Sequence, residues 1–251
     1  MLSANEIKMV RSLSEKKFRD RTGLFIAEGE KMADEAVRSG FTVEKIYRRD
    51  EIGDGTMRRI SATTSGTPVL AVIRKPLDIN IEDISEHFRS TERKGLFLAL
   101  DTIRDPGNLG TILRIADWFG IETVFASHGT VDLFNPKVVQ ATMGAIFRVK
   151  FHYTDIPQLC RAVRESGGDV YGTFLDGNDI YTRSLNPGIE RPSIIVTGNE
   201  SEGISPEVEA EVTDRLFIPA YPSGRTGSES LNAAVATAVT VAEFRRIAEF
   251  K

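Results

Sequence analysis

With 251 residues, 41% of them hydrophobic, the chain is long enough for one large domain or two modest ones with a sizeable buried core. A single cysteine, Cys160, excludes an intrachain disulfide framework, and three scattered histidines, His87, His128 and His152, lack the spacing of a structural metal site. The net charge of −4 argues against a general nucleic-acid coat, although the first 94 residues are slightly basic and the acidic excess lies in the remainder.

The N-terminal stretch MLSANEIKMV lacks an apolar core of the kind that directs export. The apolar helix near residues 231–248 is interrupted by Thr237, Thr240 and Glu243. A cytoplasmic protein with no membrane partner is expected. Apolar periodicity predicts a helix over 4–17, and the basic residues of the 1–21 stretch, Lys8, Arg11, Lys16, Lys17, Arg19 and Arg21, form either a solvated face or a phosphate-contacting arm. A strand at 24–28, a helix at 29–40 and strands at 43–49 and 67–76 complete a small α/β unit. The polar, mixed-charge stretch LDINIEDISEHFRSTERK (77–94) follows Pro76 and reads as a linker, part of it helical.

From residue 95 strands and helices alternate. Strands are predicted at 96–100, 123–127, 147–152, 169–175, 193–198 and 215–220, with helices at 108–119, 136–144, 156–166, 205–211 and 230–249. Short β-branched strands separated by helices imply a mainly parallel sheet covered on both faces. Ligands bind such sheets beyond the carboxyl ends of the strands, so the loops there hold the candidate site.

Three of those loops carry a signal. In DPGNLGTILRIADWFG (105–120), Leu109, Ile112, Leu113, Ala116 and Phe119 form one buried stripe, and Asn108 after Pro106-Gly107 is a natural N-cap. Arg114 points away from the stripe; alone, it reads as a surface residue with an ion-pair partner or stacked on Trp118. Ile115 and Trp118 make that second face too apolar to be simply solvated, which suggests another subunit or a cleft wall. In IIVTGNESEGIS (194–205) a buried strand runs into Gly198, where backbone can approach a ligand, and then into Asn199, Glu200 and Glu202. In RLFIPAYPSGRTGSESLNAAVA (215–236) a strand ends at Ile218-Pro219, and Ser228, Ser230 or Asn232 opens a small-residue helix whose free N–H groups favour electron-rich ligand groups. No stretch has the spacing of a dinucleotide or phosphate-binding loop.

Together, N-L-G-T-I-L-R at 108–114, T-G-N-E-S-E-G-I at 197–204, and I-P at 218–219 with S-L-N-A-A-V-A at 230–236 resemble the three motifs of the SpoU-type RNA 2'-O-ribose methyltransferases of the SPOUT class. LFIAEGEKMADEAVRSG (24–40) resembles the small ribosomal-protein-like substrate-binding domain fused ahead of some of them. The resemblance implies an RNA substrate-binding domain at 1–75, a linker at 76–94, and at 95–251 a mainly parallel α/β methyltransferase domain tied in a trefoil knot. It further implies S-adenosylmethionine as cofactor and a homodimer acting on a ribose 2'-OH of structured RNA, ribosomal in preference to transfer RNA.

Carried over residue by residue, it gives Asn108, Arg114, Glu200, Ser230 and Asn232 catalytic roles, and sets Thr173, Gly198, Asn199, Ile218 and Leu231 against the cofactor. Arginine is a poor base at neutral pH, its pKa exceeding about 12. Arg114 is therefore expected to clamp a phosphate beside the target ribose. The residues 219–230 connection is longer than the family's usual one, which leaves Arg225 and the path over the cofactor undefined, and residues 50–66 are shorter than the usual middle of the first domain. Two other classes stay open: a non-catalytic RNA-binding protein keeping the scaffold, and a small-molecule enzyme on a nucleotide-binding sheet.

Overall fold

A computed structural model describes residues 2–63, 65–76, 88, 94–222 and 229–249. The chain divides into two compact units: Met1–Leu77 with Leu109–Arg114 and Val131–Arg148, and Asp78–Asn108 with Ile115–Thr130 and Val149–Lys251.

The first unit opens with helices α1 (Ala4–Ser12) and α2 (Lys16–Thr22), followed by β1 (Leu24–Glu28), α3 (Glu30–Arg38), β2 (Val43–Arg48), α4 (Arg49–Ile52), α5 (Asp54–Ile60) and β3 (Val69–Arg74). Its three strands form an antiparallel sheet in the order β1-β3-β2. The single helix expected over 4–17 is broken at Leu13, and Arg19 fills the break. Its guanidinium, 2% exposed, donates at 2.8 Å to the carbonyls of Leu13 and Ser14, satisfying the end of α1, and pairs with Asp132 at 2.6 Å. Lys16 pairs with Asp20 and Lys17 with Glu15. Half of the expected basic arm is thus neutralised within the unit, and Lys8, Arg11 and Arg21 are its exposed remainder.

Residues 109–114 of α6 (Pro106–Trp118) and all of α7 (Pro136–Thr142) belong to this same unit. Gly110 lets the two helices touch: a Cβ there would meet the Ala141 methyl, with the Ala141 carbonyl carbon at 2.9 Å and the Val138 oxygen at 3.0 Å. Helix α7 ends in left-handed turns at Met143 (φ 51°) and Gly144 (φ 100°) and enters a 3-10 turn at Ala145–Phe147. The strand expected from 147 therefore starts three residues later. Phe147 supplied the apolar alternation that suggested a strand, but it packs edge-on to Phe41, with centroids 5.2 Å apart.

The second unit is a seven-stranded, wholly parallel sheet. Its strands are β4 (Leu96–Leu100), β5 (Thr123–Ala126), β6 (Lys150–Tyr153), β7 (Asp169–Phe174), β8 (Asn178–Asp179), β9 (Ser193–Thr197) and β10 (Asp214–Phe217), in the order β6-β5-β4-β9-β7-β10-β8. Every residue of β4, β5 and β9 is buried, which explains their unbroken apolar runs: a parallel strand covered on both faces has no solvent side to alternate with. Helices α8 (Ile156–Glu165), α9 (Pro206–Glu209) and α10 (Ala233–Glu249) complete it. The two-residue edge strand β8 gave no sequence signal, since neither Asn nor Asp favours strands. Of the expected linker, Pro76, Phe88 and Lys94 are described and the rest lies outside the described residues; Phe88 is buried against Phe97 and Phe125. Among the described residues no helix is long and apolar enough to cross a membrane.

Candidate functional site

Because all seven strands run the same way, their carboxyl ends share one edge. The order reverses beside β4: the chain moves from β4 outward through β5 to β6, and from β9 to the other flank. Crevices at such reversals are where parallel sheets bind ligands, and the loops after β4 and β9 bracket this one.

After β4, Asp105 rather than Asn108 is the N-cap of α6: its carboxylate accepts the Asn108 N–H at 2.8 Å, with Pro106 in the first turn. This corrects the capping expectation and frees the Asn108 side chain. Asn108 Nδ2 donates to Glu200 Oε1 at 2.6 Å, and Asn108 Oδ1 accepts from Asn232 Nδ2 at 2.9 Å. Asn232 in turn caps α10, its Oδ1 accepting the N–H groups of Ala234 at 3.0 Å and Val235 at 3.3 Å. One hydrogen-bonded chain thus joins all three loops and ends on a carboxylate. Each amide keeps one N–H without a partner among the described residues, as does the exposed Ser230 hydroxyl.

The loop after β9 is built to hold Glu200. At Gly198 a Cβ would run into the backbone of Gly203 and Ile204, with the Gly203 oxygen at 2.5 Å, so only glycine lets the chain fold back. Asn199 and Gly203 exchange backbone hydrogen bonds at 2.9 Å. The buried Asn199 side chain accepts the N–H groups of Ser201 and Glu202 and donates to the Thr102 carbonyl at 2.8 Å, which ties its own loop to the loop after β4.

Residues that sequence reasoning passed over complete the frame. Asp101, 4% exposed, accepts the Ser205 N–H at 2.7 Å. Thr102 sits at φ 61°, rare for a β-branched residue, and its N–H donates to Ser127 Oγ at 2.8 Å. Only the placement of Asp101 directly after an apolar strand could have drawn attention to this turn. Helix α10 is fixed to β9 by a buried Thr197–Thr237 hydroxyl pair at 3.0 Å. It also holds the far end of α6, where Arg245 donates to the carbonyls of Phe119 and Gly120 at 2.8 and 3.0 Å. Burial lowers the Arg245 pKa, so this cation is retained against a desolvation cost.

The remaining expected residues fall around the same edge. Thr173, near the end of β7, donates its hydroxyl to the Val196 carbonyl at 3.1 Å. Ile218 directly follows β10 and is half-buried, and Leu231 is 50% exposed. Arg225 and Ser228 lie outside the described residues.

Arg114 stands apart. Leu109, Ile112, Leu113 and Ala116 are fully buried as expected, Phe119 at the end of that stripe is only half-buried, and Arg114 is exposed and makes neither an ion pair nor a stack on Trp118 among the described residues. Six residues beyond Asn108, it lies about 9 Å further along the helix and roughly 240° around it. It is therefore not part of the Asn108 hydrogen-bonded chain. It shares a face with Trp118, which is 86% exposed.

The chain matches known proteins in both sequence and fold. Residues 95–242 match the SpoU rRNA Methylase family, and residues 4–79 match the MRM3-like substrate binding domain. The chain belongs to the SpoU rRNA methylase family. Within it, the chain is 30% identical to the 23S rRNA (guanosine(2553)-2'-O)-methyltransferase RlmP of Bacillus subtilis, over 96% of each chain. Among solved structures, a TrmH-family protein from Porphyromonas gingivalis superposes with a TM-score of 0.84 at 40% identity, over 98% of this chain and 99% of that one. An AdoMet-bound rRNA methyltransferase from Sinorhizobium meliloti gives a TM-score of 0.82 at 28% identity, over 98% and 97%. Among the described residues no cluster of His, Cys, Asp and Glu could hold a metal.

Proposed function

We propose that this SpoU-family chain transfers the methyl group of S-adenosylmethionine to a ribose 2'-oxygen of ribosomal RNA. The observation that carries the reading is the Asn232–Asn108–Glu200 chain of hydrogen bonds, which gathers the three sequence motifs at the carboxyl edge of the sheet.

The residues at that edge suit the cofactor. Ile218 and Leu231 offer apolar surface for a flat purine, the main chain around Gly198 offers polar groups, and Glu200 offers negative charge to a sulfonium. When bound, the cofactor supplies an activated methyl group. The protein's task is then chiefly alignment of the acceptor oxygen, an effect that can be worth ~7–11 kcal/mol. The spare N–H groups of Asn108 and Asn232 and the Ser230 hydroxyl hold the ribose. Arg114 clamps an adjacent phosphate bidentately, and that phosphate or a water takes the proton of the ribose hydroxyl. Asn199 acts on the cofactor through the loop it closes, and Thr173 through the β7 end it joins to β9.

The finer organisation belongs to the same proposal. Residues 1–75 bind the RNA, 76–94 link, and 95–251 form the catalytic domain, whose C-terminal segment threads a trefoil knot. The protein works in the cytoplasm as a homodimer. The exposed Trp118 and the half-buried Ile115 on α6 supply apolar surface for a second copy, and Arg114 on that face approaches the RNA from the dimer side. The test incubates purified protein with labelled S-adenosylmethionine and total RNA from a deletion strain and maps the new 2'-O-methyl group. Arg114→Lys keeps the charge and loses the fork, so methyl transfer should fall at least tenfold with cofactor binding unchanged; near-normal transfer defeats the phosphate clamp.

A further inference from the structure

Two aromatic side chains stand at the same edge of the sheet and take no part in the chemistry above. His128 lies two residues past the end of β5 and is exposed; Tyr153 is the last residue of β6, the neighbouring strand, and is half-buried. Their rings are nearly parallel, 14° apart, with centroids separated by 6.4 Å. Neither is loosely placed. Tyr153 is braced edge-on by the buried Phe151 at 5.1 Å. The turn carrying His128 is bound to the site: Ser127 Oγ accepts the Thr102 N–H at 2.8 Å, and the Thr102 carbonyl accepts Asn199 Nδ2, one residue before Glu200. At Gly129 an added Cβ would meet the Thr102 side chain at 3.2 Å, so the turn rests directly on the loop after β4.

We infer that His128 and Tyr153 form a stacking platform for an unpaired RNA base next to the nucleotide being methylated. This rests on the proposal that the chain methylates RNA. The placement fixes which base is addressed. Strands β5 and β6 are one and two places from β4 in the sheet, about 5 and 10 Å away at the usual strand spacing, so the platform lies beside the Asn108 site and serves a flanking base. The chemistry suits that role: RNA-binding sites hold splayed bases on the faces of Tyr and His rings, and such stacking tolerates any base. A rigid platform would hold the RNA strand beside the reacting ribose, a second point of attachment that the amides of Asn108 and Asn232 alone do not supply.

The chain has three histidines, so the ring signals of His128 are separable from those of His87 and His152 by NMR of protein carrying carbon-13 histidine. Titration with single-stranded pentaadenylate and pentauridylate should move the His128 ring protons upfield, saturably, with the larger shift for the purine. His128→Ala, at an exposed position, and Tyr153→Leu should each weaken binding of these oligonucleotides by about fivefold or more, while Tyr153→Phe binds as the unchanged protein does. Cofactor affinity and melting temperature of the His128→Ala variant should not change. A silent His128 ring during RNA binding, or undiminished affinity of both variants, overturns the platform. Methyl transfer to total RNA is scored separately. Transfer with a silent His128 defeats the platform and leaves the enzyme, whereas absence of transfer defeats the enzyme assignment whatever His128 does.

Discussion

Replacing Gly110 with alanine sets two effects of opposite sign against each other, and the structure decides between them. In the interior of α6, alanine is the better helix former by up to about 1 kcal/mol. The new methyl, however, would lie inside contact distance of the Ala141 methyl, 2.9 Å from the Ala141 carbonyl carbon and 3.0 Å from the Val138 oxygen, where carbon contacts favour about 3.5–4.0 Å. None of these atoms ends a flexible side chain, so the helices themselves must separate. Overpacking of this kind costs ~1–3 kcal/mol. With the full propensity gain subtracted, the net loss is about 0–2 kcal/mol, a fall in melting temperature of up to roughly 8 °C for a chain of this size. Activity should suffer more than stability, because α6 carries Asn108 and a displacement of ~1 Å can cost about a hundredfold in rate. Thermal unfolding and single-turnover methyl transfer measure the two quantities separately. A variant as stable and as active as the parent would refute the claim that helix contact at Gly110 sets the position of Asn108.

Two further outcomes follow from the burial pattern. Asp132→Ala leaves the Arg19 guanidinium, 2% exposed, with two carbonyls and no counter-charge. Loss of one partner of a buried pair costs ~3–5 kcal/mol, so the melting temperature should fall by roughly 6–20 °C, and a shift under 2 °C would show the pair to be solvated. Burial pushes the Cys160 thiol up to about 12. At pH 8 only about one thiol in ten thousand is then ionised, so a disulfide reagent should leave Cys160 untouched until the chain is unfolded; rapid labelling of the native protein would contradict this packing.

The alternation from residue 95 onward was legible because parallel strands buried on both faces are written as unbroken apolar runs, and LFLAL, TVFA and SIIVT are such runs. The stripe on α6 was legible because only one face of the helix is buried, so its apolar residues recur every three or four positions. What the sequence misplaced depends on contacts made across long separations. Arg19 looked like part of a solvated basic helix, since nothing nearby in the chain announces Asp132, 113 residues on, as its partner. Phe147 looked like a strand residue because its packing against Phe41 was not visible. Asn108 looked like a cap, since Asp105 three residues earlier is an equally good one and only the observed hydrogen bond distinguishes them.

The residue types of the site were likewise available before its geometry. The sequence by itself determined the family's three motifs and the alternating strands and helices, because local pattern and residue chemistry carry that information. Tertiary structure decided which of those residues meet. It joined Asn108, Glu200 and Asn232, separated by 92 and 124 residues from Asn108, in one hydrogen-bonded chain, and left Arg114 on another face of the same helix. A helix turns 100° per residue and a sheet orders its strands by pairing rather than by sequence, so only the folded chain brings side chains into register around a reacting atom.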